Sequence, residues 1–107
     1  MFIFSHINNI GGNVRLFNTL DSSANRNNDF TTLQNARLDL VGELEAIVQY
    51  ENHLMQTNNP AAQNTIKHIV REEKMHVGEL MALIFSLDPQ SKEEFYRGIK
   101  DFEHENK

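Results

Sequence analysis

The stretch REEKMH, Arg71 to His76, sets a glutamate and a histidine three residues apart inside an apolar pattern. Around it Ile66, Ile69, Val70, Val77, Leu80, Leu83, Ile84 and Leu87 recur at the three-and-four spacing of a helix with one buried face. Carried through the gap between Val70 and Val77, that spacing asks for apolar side chains at 73 and 76, where the chain has Glu73 and His76. A carboxylate and an imidazole on an inward face are costly unless something inside neutralises or coordinates them. A second stripe, Leu33, Ala36, Leu40, Leu44, Ile47, Tyr50 and Leu54, is interrupted in the same way by Glu43, whereas Glu45 and Glu51 fall off its centre. Carboxylates neutralise and bridge divalent cations, and neutral imidazole binds borderline metals. The i,i+3 spacing lets Glu73 and His76 reach one ion from one face. Glu43, Glu73 and His76 are therefore the candidate metal ligands.

The elements that must position them follow from the punctuation of the chain. From Thr31 a helical period runs to the stop signal at Asn58–Pro60, with Asp29, Thr31 or Thr32 available as N-cap. A second helix starts with Pro60 near its first turn and runs to about Leu87, and a short third one follows Pro89 to about Phe102, before the charged tail EHENK. Each long arm is about 25 residues, roughly 37 Å at 1.5 Å per residue. The short loop makes the arms antiparallel. Glu43 lies about fifteen residues before Asn58 and Glu73 about fifteen after it, so the two should meet at one height. Two amphipathic helices cannot cover each other's stripes alone, and carboxylate di-iron and di-manganese bundles use one Glu on each of two helices and a Glu-x-x-His on each of the other two. One copy of this chain supplies half of that set; two copies supply all of it. The expected fold is all-α: an antiparallel helical hairpin, residues 31–107 with its short C-terminal helix, completing a four-helix bundle by dimerisation.

Composition narrows the chemistry. The chain of 107 residues contains no Cys, which excludes disulfides, iron–sulfur clusters, thiolate zinc and a rubredoxin-type centre. Its net charge of −5 argues against a nucleic-acid partner and suits the attraction of cations. No apolar run is long enough to cross a bilayer, and MFIF lacks the basic start of a secretory signal, so the expected compartment is the cytoplasm and no membrane partner is expected. Residues 1–30, rich in Asn and with Gly11–Gly12, read as a flexible or weakly structured N-terminal arm, a weak hairpin being the alternative.

ELEAIVQYENHL, then REEKMHVGEL, then LDP, resemble the encapsulated ferritins, short ferritin-like proteins packaged in encapsulin shells. The resemblance covers roughly Leu38 to Phe102 and implies a ferroxidase, an oxidoreductase with a di-iron site formed across a dimer interface and two iron ions per dimer, in dimers that assemble into a larger ring. On that resemblance Glu43, Glu73 and His76 are the ferroxidase ligands, Glu45 sits on the route by which ions reach them, and Tyr50 is a hydrogen-bond donor behind them. It further implies an encapsulin shell protein as partner, iron storage as the role, and a place inside an encapsulin nanocompartment. The family often has two adjacent glutamates where this chain has Gly42–Glu43, an aromatic where it has Gln49, and a shell-docking peptide that FEHENK does not resemble.

Two other readings fit the same residues. A Glu at the edge of a stripe can snorkel to water and a core His can simply be hydrogen-bonded, which gives a non-catalytic helical dimerisation module held by ion pairs or a structural metal. A rubrerythrin-like di-iron peroxidase uses the same bundle, although the absence of Cys disfavours an electron-transfer centre on the chain. His53, His68 and His104 read as surface residues, and Met55, Met75 and Met81 as packing or surface positions.

Overall fold

In a computed structural model the chain is described for residues 24–107; of the arm expected over residues 1–30, residues 1–23 lie outside them. The described residues form three helices and no strand: α1 (Ala24–Gln56), α2 (Pro60–Leu87) and α3 (Pro89–Glu105). Helix α1 begins earlier than the sequence predicts, so Asp29, Thr31 and Thr32 lie inside it rather than capping it. The Asn-rich lead-in is poor helix-forming sequence. Once the helix is anchored by Leu33 and Ala36, however, each added residue gains a backbone hydrogen bond for little further entropy.

 The two long helices are joined by Thr57–Asn59 and packed antiparallel, as the short loop requires.

Both ends of α2 are fixed by local chemistry. At its start Asn59 adopts an extended conformation and its Oδ1 accepts from the Ala62 amide at 3.0 Å, with Pro60 in the first turn, where its missing N–H costs nothing. Gln63 Nε2 donates back to the Thr57 carbonyl at 3.0 Å and closes the turn. At its end a single residue, Asp88, separates α2 from α3. Its amide donates to the Ile84 carbonyl at 2.8 Å while its side chain accepts from Ser91 at the head of α3. Helix α3 runs on to Glu105, one turn beyond the predicted end.

The core is thin. Among the described residues only Leu33, Ala36, Val70 and Ile84 are buried apolar side chains. Leu33, Ala36 and Ile84 form one cluster, against which Leu40, Met81, Phe85 and Leu87 pack, at the end of the hairpin where α2 gives way to α3. Leu44, expected on the inner stripe of α1, is 49% exposed. It follows Glu43 by one residue, about 100° further round the helix, and so turns away from α2. Val41, Val48 and Met55 on α1, and Phe95, Tyr96, Ile99 and Phe102 on α3, are also exposed. Among the described residues α1 thus shows apolar side chains on more than the one side that meets α2.

Candidate metal centre

Glu43 is carried by α1, and Glu73 and His76 by α2. The antiparallel pairing brings them to one height. One ligand atom from each lies within 4.8 Å of the others, and all three side chains are half-buried. His76 Nδ1 stands 3.6 Å from Glu43 Oε2 and 3.9 Å from Glu73 Oε2. Both separations are too long for hydrogen bonds. They are close to what a shared ion demands, since two ligand atoms each bound at 2.0–2.2 Å sit about 3–3.5 Å apart.

Glu43 supplies a further observation. Its Oε2 is buried and has no hydrogen-bond partner. A carboxylate oxygen shut away from water without a donor is costly, and the cost is removed by a proton, a cation or a donor from another molecule. The opening around the trio is lined by Asp39, Glu45, Ala46, Tyr50, Glu79 and Leu80, among other described residues, and no Lys or Arg is among them. The surroundings therefore favour a cation on electrostatic grounds.

The remaining predicted residues take distinct places. Glu45 is exposed and lines the opening. Tyr50 lines it too, with its ring edge-on to His53 at 6.3 Å. His68 is exposed and lies 4.0 Å from Glu72 one turn away, and His53 and His104 are exposed. Lys74 pairs with Glu51 at 3.5 Å, another contact between α1 and α2. Asp39 and Glu79 were not singled out by the sequence. Their signal was present but weak, Asp39 one turn before Glu43 and Glu79 three residues after His76, since acidic residues at such spacing are common on solvated faces.

Comparison with known proteins gives three related chains. The sequence is 37% identical over 65 residues to a ferritin-like-encapsulin shell fusion protein of Pyrococcus furiosus, a stretch covering 61% of this chain and 19% of that one. It is 33% identical over 67 residues to the encapsulin nanocompartment cargo protein EncB of Myxococcus xanthus, covering 63% of this chain and 42% of EncB. The cargo protein EncC of the same organism is 34% identical over 62 residues, covering 58% of this chain and 48% of EncC. The chain thus spans less than half the length of each of these relatives. No protein-family model and no solved structure matches it. Its relatives are proteins of encapsulin nanocompartments, two of them cargo and one a shell fusion with a ferritin-like part.

Proposed function

We propose that the chain is a ferroxidase that works as a dimer and supplies oxidised iron for storage inside an encapsulin shell. The observation that carries this reading is the convergence of Glu43, Glu73 and His76 beside a buried carboxylate oxygen that has no partner of its own. The donor set fits iron: carboxylate and imidazole without thiolate suit Fe(II) and Fe(III) better than a dedicated structural zinc. A second copy, apposed across the open side of the hairpin, would bring another Glu43 and another Glu-x-x-His and so complete the set of a two-metal carboxylate bundle.

In this reading Fe(II) is the substrate, and dioxygen takes its electrons. Glu43, Glu73 and His76 would hold the ions, the two carboxylates supplying negative charge and the imidazole a neutral nitrogen donor. Glu45, with Asp39 and Glu79, attracts the incoming cation, and Tyr50 stands behind the ligands as a donor. The relatives' names support the shell as the destination, as cargo of a nanocompartment and as a ferritin-like part fused to a shell.

A second reading draws on the same distances. His76, if protonated, is an imidazolium between two carboxylates, and the trio is then an ion-pair cluster in a non-catalytic dimerisation module. Anaerobic titration with Fe(II), followed by a pulse of oxygen and watched by absorbance, separates the two. Rapid oxidation saturating at two irons per dimer is expected of the ferroxidase; oxidation no faster than in buffer leaves the ion-pair module.

A further inference from the structure

The corner between α2 and α3 contains a group of side chains that the metal centre does not use. Helix α3 has no buried residue, and its backbone does not come close to that of α1. Its own anchorage is a small aromatic cluster in which Phe85 of α2 meets Phe95 at 5.2 Å and Tyr96 at 6.0 Å. The connector is the single residue Asp88, followed by Pro89, so the direction in which α3 leaves the hairpin depends on the φ of −139° and ψ of 87° at one position. Proline after it narrows that choice to extended conformations but does not fix it.

Arg37 reaches this corner from α1. Its Nη2 donates to Asp88 Oδ2 at 2.6 Å and to Ser91 Oγ at 3.1 Å, while Nη1 donates to Gln34 Oε1 at 2.8 Å. The same Asp88 oxygen accepts from Ser91 Oγ at 2.6 Å, and Oδ1 lies 3.4 Å from the Ser91 amide. One carboxylate thus caps α3 and is held by a planar guanidinium from α1, which is itself aligned by Gln34. A planar fork with several donors fixes orientation as well as distance.

We infer that Arg37 is a positioning residue that pins the hinge at Asp88 and so sets the direction of α3. What it positions is the exposed apolar face of that helix, Phe95, Tyr96, Ile99 and Phe102. The pin acts through Asp88 and Ser91, and the inference does not depend on the metal reading.

The absence of native Cys makes the test direct. Spin labels are attached at Asn35→Cys on α1 and Lys100→Cys on α3, both exposed sites, and the protein is diluted with unlabelled chain so that electron–electron resonance reads distances within one copy. A single narrow distance distribution is expected with Arg37 present. Arg37→Met, which keeps the stem and drops the guanidinium, should broaden it at unchanged helicity and unchanged metal stoichiometry. Asp88→Asn, which keeps a capping residue, should broaden it less. A distribution unmoved by Arg37→Met overturns the inference. Loss of helicity in both variants overturns it too, because Arg37 would then hold the hairpin as a whole rather than the direction of α3.

Discussion

Three side chains that would each be unremarkable alone acquire meaning from where the helices put them. Glu43, Glu73 and His76 stood out in the sequence because each occupies a position where the helical period asks for an apolar residue, and that signal survives without any three-dimensional information. What the period could not carry is the state of Glu43 Oε2, since burial of one oxygen depends on every neighbour at once. Alanine at Glu73, His76 or Glu43 should abolish fast oxidation of Fe(II), whereas Glu45→Ala should slow loading without emptying the centre. Stopped-flow absorbance against added Fe(II) measures both. The metal-free protein gives the complementary result: if the carboxylates are ligands waiting for an ion, their removal relieves desolvated charge, and the melting temperature of Glu73→Ala without metal should be unchanged or higher. A large loss would favour the ion-pair module instead.

At the scale of the elements, the two interhelical corners were unequally legible. The stop signal at Asn58–Pro60 gave the start of α2 at Pro60, and the structure adds Asn59 as its cap. Asn59→Ala should therefore lower stability by about 1 kcal/mol, read from chemical denaturation. The start of α1 was not legible, because Asn28, Asp29 and the threonines look like a terminus by propensity while the extension of an existing helix overrides it. The exposure of Leu44 was missed for a related reason: a stripe drawn by eye tolerates one residue too far round the helix. The Arg37–Asp88 contact joins residues 51 positions apart, and no periodicity marks such a pair. It has a pH signature. The Ser91 hydroxyl, more than any other group, holds the Asp88 carboxyl below its ordinary value of 3.8; burial opposes this, and the Ser91 amide and Arg37 add to it. A depressed folded pKa means that the contribution is present above the ordinary value and lost as pH falls through the folded one. Amide protection in α3 should thus be level from about pH 7 to 5 and fall only below about pH 4, and Asp88→Asn should remove that acid step. Hydrogen exchange resolved to α3 measures it.

At the scale of the whole molecule, the described residues combine a thin core with exposed apolar side chains on α1 and α3, a surface suited to association. If the metal centre is shared between copies, Fe(II) should shift the population towards dimers and larger rings by mass action, seen by native mass spectrometry with and without metal; a monomer that binds two irons at full stoichiometry would rule out the shared site. Oxidation by the isolated protein should also yield no soluble mineral core of ferritin size, because pairs of hairpins enclose no sealed cavity. Co-expression with the host's shell protein should then restore storage, and soluble cores grown without a shell would contradict this. The scarcity of buried side chains has a kinetic side as well. If the hairpin pairs with a second copy, the little apolar surface that its described residues hide gives it little to gain from folding before they meet, so its refolding should be second order, faster in proportion to concentration. In the cell, newly made copies would remain open to proteases until they pair. Abundance would then rise more steeply than synthesis, and a host making too little of the chain would keep almost none of it.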